Sequence, residues 1–454
     1  MQFHLLSFEG PDAYARAGGL ASRIEGLART LADLGYETHL WYIGSPDLPG
    51  HEQEGGLHLH RWCQWISHHH PGGVYDGEEG KHAEYSSSLP PHILEHYIRP
   101  HVERGHHAVV LAEEWHTVDA VLHLDWLMRS AGVRDSVNML WNANNTFGFE
   151  RIPWARLSHA ARITTVSRYM KHKMADLGVD ALVIPNGLGA DCYETPGRSE
   201  VALMRQRFGH RVVMAKMARF DPDKRWLASV DIVAELKREG RRPLLIARGG
   251  SEGHGAEVFH SAWSQGLRIV DRTWTKPGPD GMLEALTDVD DADVVNLRSF
   301  VDPAARRVLF RGADVVLANS NHEPFGLVGL EAMAAGGIAC TGCSGEDYAL
   351  PGQNAIVLET SDPHEFTSLY GKLGEQPERA FRMRRAGQQT AKRYAWDQVA
   401  EAVLLPRVEI GLPPRPATAK VQPPSVAEAA QETKTPEPIP PLGTGPAGSS
   451  RVAA

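Results

Sequence analysis

A chain of 454 residues with 42% hydrophobic and 23% charged side chains has the make-up of a soluble protein with sizeable cores, and its length allows two to three domains. The formal net charge of −9 argues against a general nucleic-acid binder, which needs a basic stripe to meet the phosphate backbone. There is no apolar run of about 18 residues to span a bilayer, and MQFHLLSFEG lacks the basic and apolar stretches of a secretory signal. Four cysteines (Cys63, Cys192, Cys340 and Cys343) are too few for a disulfide scaffold. The expected setting is therefore a reducing cytoplasm, with peripheral membrane association left open.

In chain order, FHLLSF reads as a buried strand, EGPDAYARAGG as a loop, and LASRIEGLARTLADLG as a helix. In that helix Leu20, Ile24, Leu27, Leu31 and Leu34 recur at three- and four-residue steps, and Gly35 stands at the C-cap. YETHLWYI returns to strand, which makes a β-loop-α-β opening of a doubly wound α/β domain. Residues 51–100 read as irregular and rich in His, Gly and Ser, with His68, His69 and His70 in a flexible loop. Strands resume at HAVVLAEEWH, SVNMLWNANN, RITTVS and ALVIPNG. A second series starts at RVVMAKMARF, with a helix at KRWLASVDIVAELKREG and strands at RPLLIARGG, DVVNLRSF and DVVLANS. Two series joined near residues 190–210 predict two similar domains rather than one barrel. From Gly411 onward the composition turns to Pro, Ala, Ser, Thr and Glu without aromatics, which predicts a disordered tail.

The stretch NSNHEPFGLVGLEAMAAGG, residues 319–337, carries two acids in otherwise nearly uncharged surroundings. DVVLANS is a strand and LVGLEAMAAGG a helix, so Glu323 lies in the loop between them, beside Pro324 at the helix start. Gly326 and Gly329 clear space for a ligand at the helix N-terminus, whose free amides suit a diphosphate. Glu331, in the second turn, leans back toward that end. Like charge keeps both acids off the phosphates, but carboxylates suit sugar hydroxyls, one on each side of the diphosphate. The competing reading is a capping Glu323 and a solvated Glu331. Against it, Leu330, Ala332 and Met333 bracket Glu331 and little else on the helix is polar.

EPFGLVGLEAMAAG resembles the E-x7-E signature of retaining glycosyltransferases with the two-domain GT-B fold, above all family 4. The resemblance implies that Glu323 holds hydroxyls of the donor sugar and Glu331 those of the ribose, with Phe325, Gly326 and Leu327 near the diphosphate. MARFDPDKRW resembles the family's R-x-D-P-x-K stretch, making Arg219 and Lys224 the cations that neutralise the leaving nucleotide. RAGGLASRIEGLARTLADLGYE resembles its glycine-rich loop and first helix, placing Gly18 and Gly19 against the donor phosphates or the acceptor. AEEWHT resembles the D-W-H strand end of starch and glycogen synthases, with Glu114 in place of the Asp and His116 in the cleft as a catalytic contact. VIPNGL and RYAWDQVAE resemble the segment closing the first domain and the helix that crosses back onto it; Asp191 is displaced from the family's position and receives no role.

The implied architecture is a first, acceptor-side domain over 1–195, a donor domain over 196–392, a crossing helix over 393–410 and a tail over 411–454. The two Rossmann-like domains would face each other across a cleft. The implied reaction transfers a hexose from a donor of the UDP-glucose or GDP-mannose class to a sugar or glycoside hydroxyl. It needs no cofactor beyond that co-substrate and no metal. A nucleotide-sugar epimerase and a catalytically silent sugar-nucleotide-binding subunit are the rival readings. Cys340 and Cys343 form C-x-x-C but lack two further ligands, and ARGGSEGHG lacks G-x-G-x-x-G, so neither zinc nor a nicotinamide cofactor is expected there.

Overall fold

The computed structural model describes residues 1–408; the expected disordered tail from 411 lies outside the described residues. The first half contains β1 (Gln2–Leu6), β2 (Glu37–Ile43), β3 (His51–Glu54), β4 (Leu57–Trp62), β5 (Ala108–Glu113), β6 (Val137–Ala143), β7 (Arg162–Thr165) and β8 (Leu182–Val183). These form one sheet in the order β3-β4-β2-β1-β5-β6-β7-β8, parallel except for β3. The second half contains β9 (Val212–Met217), β10 (Pro243–Arg248), β11 (Ile269–Arg272), β12 (Val294–Leu297), β13 (Val315–Ala318), β14 (Ala339–Thr341) and β15 (Ala355–Val357). Its order is β11-β12-β10-β9-β13-β14-β15, all parallel. Both sheets are doubly wound Rossmann-like layers, as expected.

The central strands are buried on both faces: every residue of β1 and β5 is buried. Such strands read as continuous apolar runs because helices cover both sides. The first helix spans Gly19–Asp33 and buries Ile24, Leu27 and Leu31 of the predicted stripe. It buries Arg23 too, which donates to Glu113 at 3.1 and 3.2 Å and to Asn186 Oδ1 at 2.7 Å. Glu113 also accepts from Asn142 and Asn144, so this buried charge is fully partnered.

Residues 51–100 depart from the expected irregular loop. A β3–β4 hairpin leads to a helix over Glu78–Ile93, which continues through a π-turn to Glu103. Two features hid it. The face of β4 opposite its leucines carries His58 and His60, and Pro90 and Pro91 stand inside the helix. His68–His70 follow a short helix, Gln64–Ser67, with their amides bonded back to it.

The returning segment joins the halves. Leu188 exchanges backbone hydrogen bonds with Tyr394 and Trp396, at 2.7 and 3.2 Å. The Trp396 indole fills the space beside Gly26 and Gly187, where an added Cβ would lie 2.2 and 2.3 Å from the ring. Gly187 of the Asn-Gly pair is thus required by packing, since its φ is not positive.

Candidate active site

In an open α/β sheet, ligands bind beyond the carboxyl ends of the strands, where the strand order reverses. Here those points lie between β1 and β5 and between β9 and β13. Four predicted motifs follow these four strands. The glycine loop follows β1, Glu114–His116 follow β5, Arg219–Lys224 follow β9, and Glu323–Leu327 follow β13.

At the second point Lys224 Nζ lies 2.6 Å from Glu323 Oε2. Gly326, with φ of 81°, opens the helix Leu327–Ala334; a Cβ there would meet Glu346 Cγ at 2.7 Å, so only glycine fits. That helix has no side-chain cap and no acid in its first turn, leaving its leading amides open to an anion. Glu331 pairs with Arg306 at 3.3 Å; burial pushes its carboxyl up while the guanidinium pulls it down. Phe325 is turned away from any ligand: its ring is buried against Tyr348 and Tyr394, so only its backbone is available to a donor.

A cavity of about 1180 Å³ runs between the two halves. Its walls include Arg219, Leu327 and Glu331 from the second half and Arg16, Gly26 and Arg29 from the first, with Trp396 at the crossing. Phe300, 76% exposed, stands in the same wall near Arg248 and offers a flat apolar face. Gly19 faces this second half directly, its Cβ position being 4.0 Å from the Leu327 side chain.

The first switch point is built differently. Glu9 Oε2 accepts from the amides of Ala17, Gly18 and Ala21 at 3.0–3.3 Å, so the Gly18 amide is already engaged. Its other oxygen accepts from Tyr75 at 2.8 Å. Gly18 therefore keeps the loop thin but offers no free amide to a phosphate. His116 is 4% exposed and is not among the cavity-lining residues. Its Nε2 lies 2.6 Å from Glu78 Oε1, and its ring stacks on Phe8. Burial pushes its pKa down to about 4, against the pull of Glu78. Glu114 sits at φ 66°, ψ 166°, a conformation that side-chain-bearing residues rarely adopt. Its carboxyl accepts from the Asn144 amide at 2.7 Å, and burial raises its pKa to about 8.

Sequence reasoning missed three partners. Glu9 stands three residues past β1, Arg306 one turn into the helix Pro303–Gly312, and Glu346 after β14. Glu346 is buried beside Glu323 and raised to about 8 by burial and that neighbour. It accepts from the Ser344 amide at 3.2 Å, while Oε1 has no partner among the described residues. Only Arg306 had a visible signal, an Arg-Arg pair following Asp302-Pro303 in a helix start. Cys340 is buried on β14 and Cys343 exposed, and all four cysteines are free thiols.

Residues 17–191 match the family model described as Glycosyltransferase Family 4, and residues 208–390 the one described as Glycosyl transferases group 1. A D-inositol 3-phosphate glycosyltransferase of Gordonia bronchialis is 28% identical over 231 residues, which is 49% of this chain and 45% of that protein. The chain thus spans about half the length of this relative. Among solved structures, a sucrose-phosphate synthase from Thermosynechococcus elongatus aligns with a TM-score of 0.61 at 16% identity, covering 88% of this chain and 96% of that one. Anabaena HepE in complex with UDP gives 0.57 at 13%, covering 89% and 98%. With two family models matching in tandem and both sheets wound as in these neighbours, the chain belongs to the glycosyltransferases of the GT-B fold.

Proposed function

We propose that this protein is a retaining glycosyltransferase that moves a hexose from a nucleotide-diphosphate sugar of the UDP-glucose or GDP-mannose class to a sugar or glycoside hydroxyl. The observation that carries the reading is the pair of cation–carboxylate contacts flanking one uncapped helix start. Lys224–Glu323 stands on one side of it and Arg306–Glu331 on the other. The diphosphate takes the open amides, Glu323 the hexose hydroxyls and Glu331 those of the ribose. Before substrate arrives, the cations hold both carboxylates in place.

The acceptor oxygen attacks C1 of the hexose on the face that the nucleotide leaves. The bond from C1 to the phosphate oxygen breaks, the new glycosidic bond forms on the same side, and the acceptor proton passes to the departing phosphate. Arg219, Lys224 and the helix start stabilise the charge that builds there, so positioning and electrostatics replace acid–base side chains. No metal is required for this step, and activity should persist in a chelator. HepE carries UDP in a fold of the same winding, which supports a uridine donor. Free thiols, together with the lack of any described helix long and apolar enough to cross a membrane, fit work in a reducing compartment.

The test is a donor screen by thermal shift with UDP, GDP, ADP and their sugars, followed by an acceptor screen with the best donor. Product NMR should show the donor's anomeric configuration kept. An inverted product would overturn retention, and conversion of donor without acceptor would establish the epimerase instead.

A further inference from the structure

The opposite end of the first sheet carries a feature that glycosyl transfer does not use. Strand alternation puts Gln2 and His4 of β1, Glu37, His39 and Trp41 of β2, and His58 and His60 of β4 on one face. The registers set His4 beside His39, His39 beside His58, and Trp41 beside His60, while β3 adds His51 opposite His60. Leucine or valine would normally fill such positions. Three of these histidines are fully or nearly buried, at 0%, 1% and 5% exposure for His4, His39 and His60. Gln2 and Glu37 begin their strands, whereas the cleft motifs follow the strand ends, so a strand's length separates this face from the cavity.

A directed chain of hydrogen bonds fixes the central ring. The Trp41 indole can only donate, and it meets His4 Nδ1 at 3.3 Å. His4 Nε2 then donates to Gln2 Oε1 at 3.0 Å, and the Gln2 amide donates to His39 Nε2 at 3.2 Å. His39 Nδ1 is left to donate to His60 Nε2 at 3.0 Å. The outcome is a neutral His39 whose Nε2 lone pair takes the Gln2 amide, with Glu37 Oε1 3.3 Å from the same nitrogen. That separation matches the spacing of roughly 3.3 Å between neighbouring ligands of a tetrahedral zinc with bonds of about 2 Å. Ligand atoms of Glu37, His39 and His58 all lie within 4.8 Å of one another. His51 Nε2 stands a further 3.3 Å from His58 Nδ1. Glu37 and His51 are exposed, which gives the ion an entry path.

We propose that Glu37, His39 and His58 form a binding site for a divalent transition metal of the zinc class, completed by water or His51, that ties β2 to β4 at the outer end of the first sheet. Two imidazoles and a carboxylate are a known ligand set for such ions, and the His39–His60 bond is the outer contact that fixes a metal-binding imidazole. On binding, the Gln2 amide gives way at Nε2. The His58 ring, now stacked on His39 at 4.5 Å, turns about its outer torsion to aim its nitrogen.

The experiment is calorimetric titration of the full chain with ZnCl₂, beside Glu37→Gln, His58→Gln and a control replacing His68, His69 and His70 by Gln. Glu37 and His58 stand at the rim, so both single variants should fold with metal-free Tm values near wild type. The expected result is one site per chain, weakened at least tenfold in each single variant and unchanged in the control. Zinc should raise Tm in wild type and control only. Wild-type titration by Glu37→Gln and His58→Gln, or loss of the site in the control, would overturn the proposal. Should Glu37→Gln fold poorly, a Co²⁺ absorption spectrum of wild type and His58→Gln decides. A tetrahedral band present in both, or in neither, overturns it equally.

Discussion

The two switch points of this molecule share a topology and use it in opposite ways. Beyond β9 and β13, charged side chains are held part-exposed beside an uncapped helix start, so the local field is unspent until an anion arrives. Beyond β1 and β5, the same kinds of group are consumed internally. Glu9 accepts the loop amides, Glu113 holds Arg23, and His116 leans on Glu78. A helix N-terminus is an anion site only when the protein leaves it empty. On the proposed reading the second half is the ready-made donor site, and the first is a wall whose Gly19 lets Leu327 approach.

The largest effect should come from breaking the charged side of this contrast. Lys224→Ala strips the counter-charge from Glu323 and from the leaving group, and kcat should fall about 10²–10³-fold in steady-state assays. Glu331→Ala should mainly raise the donor KM, by about 10–100-fold, because a hydrogen bond to a charged group contributes about 1.5–3 kcal/mol. An equal loss in kcat would place Glu331 at the reacting carbon instead.

On the wall side the readout shifts to stability. Gly187→Ala drives a methyl into Trp396, and chemical denaturation should show a loss of about 1–3 kcal/mol. Glu9→Gln weakens the hold on three amides, with an expected loss of about 1–2 kcal/mol and donor KM little changed. A large rise in donor KM would mean that the glycine loop binds donor after all.

The smallest effect is a pH dependence. The Glu346 pKa is raised from 4.5 to about 8 in the folded chain by burial and Glu323. Its protonated form favours folding, so this contribution is fully present below pH 4.5 and is lost as pH rises through 8. Glu346→Gln should therefore flatten the fall in Tm between about pH 4.5 and 8, and a parallel fall in both proteins would show that the carboxyl is not the cause.

Much of the fold was legible because buried parallel strands are unbroken apolar runs, and the four motifs sit in the loops directly after them. Residues 51–100 were not legible. His58 and His60 occupy positions where a hydrophobic pattern would have marked a strand, and Pro90–Pro91 imitate a helix end. His116 was legible as a strand-end histidine, but its burial against Phe8 and Glu78 was not, because both partners come from distant segments. The partners Glu9 and Glu346 carry no local signature for the same reason, and Arg306 only the faint one of an Arg-Arg pair in a helix start.

The sequence by itself determined the alternation of strands and helices outside residues 51–100, the glycine positions and the spacing of Glu323 from Glu331, since each is a property of neighbouring residues and of helical or strand period. Only the tertiary structure decided which amides stay free, which carboxylates acquire cations and which histidines lose their water. Those outcomes depend on groups far apart in the chain meeting within about 3 Å, where Coulomb energy and desolvation are both at their steepest.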